Sequence, residues 1–277
     1  MKRSTITSAL LAPAVVLCAA AAAAGLPAPA AAGTARAAAV PAVARELWGV
    51  SCLTARKCLA VGYDFAAGGP LAEAWNGTRW RTASPKLPRG AVAGILSGVS
   101  CPAAGRCVAV GSFDKGGREF ALAYTWNGTA WALALPPAPG GADTALDSVS
   151  CTSAARCVAV GFSGIWNGKS WRYAAMPASG GEALSVSCAA AGRCVAVGDA
   201  ESGNAQRATA LTWNGRAWAV TGVPAPGKGR ASLLTAVTCL SAADCVAVGQ
   251  AGPVGSSDSI GLTGFWNGKS WRLVAAQ

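Results

Sequence analysis

Between Phe120 and Trp126 the chain alternates strictly in side-chain size. Phe120, Leu122, Tyr124 and Trp126 fall on one side of an extended strand, and Ala121, Ala123 and Thr125 on the other. Just upstream, LSGVSC and CVAVG form two more short apolar runs, joined by the five residues between Cys101 and Cys107. Downstream, WNGTAW sets an Asn-Gly pair between two tryptophans. That is the strongest short hairpin signal, because a type I′ turn needs positive φ at both central residues. With Asn127-Gly128 as the whole loop, Trp126 faces Thr129 and Trp131 becomes a diagonal neighbour on the same side of the sheet. The stretch therefore predicts four strands: A to the first cysteine, B from the second, C into WNG and D from the last tryptophan.

The same pattern occurs five times. The leading cysteines, Cys52, Cys101, Cys151, Cys188 and Cys239, are separated by 49, 50, 37 and 51 residues. A second cysteine follows each by six, at Cys58, Cys107, Cys157, Cys194 and Cys245. The tryptophan hairpins hold Trp75 and Trp80, Trp126 and Trp131, Trp166 and Trp171, Trp213 and Trp218, and Trp266 and Trp271. Steps of this length with four short strands each predict an all-β fold, a five-bladed propeller of four-stranded antiparallel blades. Closure into a ring would leave no free edge. The blades fall at about residues 46–85, 94–137, 145–178, 182–224 and 232–277. Only four residues separate Gly161 from Trp166, so the third blade is expected to be shortened at strand C. An open β-solenoid is the alternative, with shorter and more regular turns of sequence.

Ahead of the repeats, Lys2 and Arg3 precede an apolar stretch and small-residue sites around Ala30–Ala32 and Ala35–Ala37. Residues 1–37 read as a secretory signal with an alanine-rich segment, and 38–45 as a linker. The apolar core is short for a membrane span and carries Pro13, so no stable span is expected after processing. Leu17 before Cys18 argues against a lipid anchor. The expected location is extracellular. Loss of Cys18 with the leader leaves an even set of cysteines, as an oxidising compartment allows.

Histidine is absent. That removes the usual general base, the common nucleophile pairs and the commonest metal ligand. Zinc sites favour cysteines two to four residues apart, and redox sites usually separate theirs by two residues in one special pair. Five equivalent pairs instead predict one structural disulfide per blade, tying strand A to strand B. Neither a metal nor a cofactor is expected. Asn76 and Asn127 lie in glycosylation sequons, but Asn-Gly recurs in units lacking the threonine and reads as turn chemistry.

These residues resemble secreted repeat proteins of GC-rich Gram-positive bacteria, which carry SCxxxxxCxAVG and WNGxxW units and are thought to form Asp-box (BNR-like) propellers. The resemblance spans residues 46–277. It implies the fold and says little of activity. Of the Asp-box, only the N-G-x-x-W end is present. Five blades of this length are also similar in architecture to tachylectin-type sugar-binding propellers.

Strand parity puts the A–B and C–D turns at one end. There Arg56, Lys57, Arg79, Arg106, Arg156, Lys169, Arg193, Arg216 and Lys269 meet one acid, Asp244. Two readings stand: attraction for polyanions such as wall polymers, or solvated charges that keep an exported protein soluble. Specific nucleic-acid binding is not expected, because the tryptophans are needed for packing. The opposite end carries irregular loops with Trp48, Asp64, Asp114, Lys115, Arg118, Glu119, Asp199 and Glu201, the candidate ligand face. Trp48 is placed at the seam between the first and last blades. A glycosidase needs paired carboxylates about 5 to 9 Å apart, and none recurs at an inward strand position. The expectation is a non-enzymatic scaffold for a protein or an anionic wall polymer. A multivalent lectin is the alternative, and a glycosidase-like enzyme ranks behind it.

Overall fold

A computed structural model describes residues 45–138, 143–203 and 205–275. The signal and most of the linker lie outside these residues. The first blade comprises β1 (Arg45–Thr54), β2 (Lys57–Asp64), β3 (Gly69–Trp75) and β4 (Trp80–Thr82). The second comprises β5 (Ala93–Ala103), β6 (Arg106–Lys115), β7 (Arg118–Trp126) and β8 (Trp131–Leu133). The third has β9 (Leu146–Ser153), β10 (Arg156–Gly161), β11 (Gly164–Trp166) and β12 (Trp171–Tyr173). The fourth has β13 (Glu182–Ala190), β14 (Arg193–Ser202), β15 (Ala205–Trp213) and β16 (Trp218–Thr221). The fifth has β17 (Arg230–Ser241), β18 (Asp244–Pro253), β19 (Ile260–Trp266) and β20 (Trp271–Ala275). Each sheet runs A-B-C-D in chain order, with every neighbour antiparallel. In the third blade strand C is cut to three residues but remains a strand.

Blades nest bulky face on small face, as the alternation requires. Leu122 and Tyr124 pack with Leu59 and Val61 of the first blade, whereas Ala121 and Ala123 pack with Leu146 and Trp171 of the third. Strands A adjoin through small residues: a Cβ built on Gly49 would lie 3.2 Å from Gly98 Cα. Ser51, Ser100, Ser150 and Ser187 each accept, at 3.0 Å, the N–H of the next blade's first cysteine. Near its start every strand A bulges by one residue, at Trp48, Ser97, Asp147, Leu184 and Thr235. The bulge brings a carbonyl across strand B, where a Cβ on Gly62, Gly111, Gly198 or Gly249 would overlap it. This explains the glycine that ends AVG.

The tryptophan turn differs from the two-residue expectation. Trp126 and Trp131 are direct cross-strand partners, with ring centroids 5.0 Å apart, around a four-residue loop. Asn127 Oδ1 accepts the N–H groups of Thr129 and Ala130, so the side chain closes the loop. Among these turn residues only glycine takes positive φ. Asn-Gly signalled the turn correctly, but an Asx-type closure competes with type I′ geometry.

All five disulfides pair within blades, as in Cys151–Cys157, with Cα atoms 4.0 Å apart. Replacing Cys151 and Cys157 together by Ala is expected to cost about 2 kcal/mol in denaturant unfolding, the chain-entropy value for so short a loop. An unchanged midpoint would contradict it.

Ring closure is where the structure departs from the sequence expectation. Apolar clusters join blades one to two, two to three, three to four and four to five. Among the described residues none joins five to one, and Thr238, the counterpart of the linking serines, makes no such bond. Leu47 is 45% exposed and Trp80 42%, while their counterparts Leu96 and Trp271 are at 0% and 4%. Arg45 lies on this face of the first blade, 2.9 Å from Asp64 and 3.6 Å from Glu73. Glu73 occupies the position held by Tyr124 and Leu211 elsewhere. The first blade therefore carries a polar strap on this face. Trp48, which the sequence places at this seam, is half-buried and donates its indole N–H to Glu46 within β1.

Candidate functional site

The A–B and C–D turns of each blade meet at one end. The Arg56 stem lies against Gly77, Ala155 against Gly168, Gly192 against Gly215 and Ala243 against Gly268. The nine cations named from the sequence are thus gathered on one end, with Asp244 as the acid among them. Four clefts open between successive blades at this end, each reaching a disulfide and the first tryptophan of the following blade. Sequence reading missed them, because each is built from two blades.

The opposite end does not form the convergent polar site that its loops suggested. Asp64 is buried, paired with Arg45, and its Oδ1 accepts the N–H groups of Ala66 and Ala67. Asp114 likewise accepts from Gly117. Both carboxylates hold their own loops. Arg118 pairs with Asp143 at 3.4 Å and sits over Phe120. Glu119 and Asp199 do face other acids, but through two residues the sequence reading passed over, Asp147 and Glu182. Burial, then the charges of Glu182 and Glu119, push the Asp147 carboxyl up to about 7. Burial first, and Glu182 next, also raise Asp199; Glu201 adds to this and a hydrogen bond from Gln206 opposes it. The signal was Asp147's place in the strand A bulge, where the other blades carry Trp48, Ser97, Leu184 and Thr235.

Tyr124 is not an activated nucleophile. Tyr124 is buried, its hydroxyl donates to the Lys86 carbonyl, and burial raises its pKa to about 12, opposite to what a phenolate nucleophile requires. Among the described residues no three His, Cys, Asp or Glu side chains gather around a metal position. No helix there is long and apolar enough to cross a membrane.

No family profile matches the chain, and no curated protein matches it. Solved structures do. A structure of YCF48 bound to D1 peptide aligns over 84% of this chain and 68% of its own, with 14% identity and a TM-score of 0.54. A GH74 xyloglucanase from Xanthomonas campestris aligns over 83% of this chain with 15% identity and a TM-score of 0.54. The chain spans 38% of that enzyme's length. At these identities the likeness is one of fold, and it places the five sheets among β-propellers.

Proposed function

We propose that the chain is a secreted, non-enzymatic propeller scaffold that binds an anionic polymer of the cell surface or its surroundings through the basic turn end. The observation that carries this reading is the gathering of nine cations on one rigid face with a single acid among them. Such a face raises the local concentration of polyanions and orients them. The five disulfides suit an oxidising, extracellular setting, and the resemblance to secreted Gram-positive repeat proteins supports the same setting. At the opposite end, Asp64 and Asp114 are engaged in closing their own loops. A protein partner is the second reading, favoured by the propeller neighbour that holds a D1 peptide.

Retention on immobilised wall polymer tests the proposal. The protein is expected to bind at low ionic strength and to elute as salt shortens the screening length to a few ångströms, about 3 Å at 1 M. Retention indifferent to salt, or equal retention on a neutral glycan, would overturn it.

A further inference from the structure

The basic end has an internal rule that overall charge does not explain. The four clefts measure 320, 200, 590 and 320 Å³ in blade order. Each is walled on its leading side by the residue just before the second cysteine: Lys57, Arg106, Arg156 and Arg193. On its trailing side stands the first tryptophan of the next blade: Trp126, Trp166, Trp213 and Trp266. In the fifth blade the residue before the second cysteine is Asp244. Among the described residues no blade packs there, and the small face of β18 is left half-open at Val246 and Val248, whose counterparts Val108 and Val110 are buried. A cation therefore stands at this position wherever a following blade completes a cleft. Where none does, an acid stands instead. Charges that served only solubility have no reason to track the clefts.

We propose that the four inter-blade clefts are equivalent subsites for the repeated acidic groups of one hydroxylated polymer chain. This rests on the basic-end reading above and sharpens it. In each cleft the cation pairs with a carboxylate or phosphate oxygen, a charge-assisted contact. Indole and disulfide atoms supply the apolar wall against which a sugar ring or polyol backbone lies. Asn127 and Asn214 reach the clefts with Oδ1 already accepting two turn N–H groups, so their Nδ2 groups remain to donate to hydroxyls. One subsite binds weakly. Four fixed on a rigid body bind a repeating chain through effective concentration. Uronate glycans and polyol phosphates share this chemistry and are separated by the choice of probe.

The test uses the mature chain and two short probes, trigalacturonate and a glycerol phosphate trimer, followed by the corresponding long polymers. Calorimetry is expected to give four short probes per chain, and the preferred polymer is expected to bind about a hundredfold more tightly. Binding of one probe and not the other supports the proposal and names the source. Two charge-matched variants then divide the alternatives. Lys57→Gln, Arg106→Gln, Arg156→Gln and Arg193→Gln together are expected to weaken polymer binding about thirtyfold or more. Arg79→Gln, Lys169→Gln, Arg216→Gln and Lys269→Gln, on the same end but off the cleft walls, are expected to weaken it only about two- to threefold. Equal losses would overturn the subsites and leave the basic-end reading standing. No loss in either variant would overturn both. The single variant Arg156→Gln, with an unchanged circular dichroism spectrum, is expected to lower the stoichiometry from four to three. A stoichiometry of one for the unaltered chain would also overturn the subsites.

Discussion

Trp218→Ala is expected to destabilise the protein by about 3 to 5 kcal/mol, and Trp80→Ala by about 1 kcal/mol. The two tryptophans close the same motif, so sequence alone assigns them equal weight. The structure does not. Trp218 is 5% exposed, lies within the cluster joining the third and fourth blades, and its indole N–H donates to Ser163 Oγ at 3.0 Å. Ser163 itself is fully buried and holds a φ of 76° in the shortened third blade. Removing the indole leaves a cavity and a hydroxyl cut off from water, two costs that add. Trp80 is 42% exposed, on a face that no other blade covers among the described residues, so its loss removes little buried surface. Urea unfolding of both variants beside the parent measures the difference. Equal costs would mean that the fifth blade covers the first in solution and that the ring closes there.

That contrast also marks the limit of what the sequence could disclose. Four strands per unit, their up-and-down order, the bulky and small faces and the cysteine pairing follow from local spacing, and the structure bears them out in β7 and in Cys151–Cys157. Closure does not follow, because the angle between blades is set by nonlocal packing that no single repeat encodes. Glu73, standing where Tyr124 and Leu211 stand, was the one visible sign that the first blade has a polar outer face. The tryptophan turn was misread in register because Asn127 acts through its side chain, which a backbone propensity does not report. The clefts escaped notice for a related reason: Arg156 and Trp213 are 57 positions apart in the chain and meet only across a blade boundary. The acids at the loop end escaped because Asp147 occurs in one unit only, whereas the repeat directs attention to what recurs.

Asp147 carries a further expected result: the protein loses stability as pH rises from 5 to 8. A carboxyl that ionises near 3.8 in the unfolded chain and near 7 in the folded one keeps its proton in the native state between those two values. The folded state then binds more protons than the unfolded state, so unfolding free energy falls with increasing pH. The contribution is fully present below 3.8, declines through the window and is gone once the pH has passed 7. Each pH unit in the middle of the window corresponds to about 1.4 kcal/mol and the slope halves at pH 7, so the loss between pH 5 and 7 is about 2 kcal/mol. Asp199, raised chiefly by burial, acts in the same direction. The cause is local: Asp147 is bulged from β9 against Gly161, with Glu182 and Glu119 opposing its charge. Asp147→Asn keeps the shape and removes the ionisation. It is expected to flatten the profile and to leave the variant more stable than the parent at pH 8. Denaturant midpoints at pH 5, 6, 7 and 8 for both proteins measure this, and a parent profile that rises toward pH 8, or a variant with the same slope, would refute the assignment to Asp147.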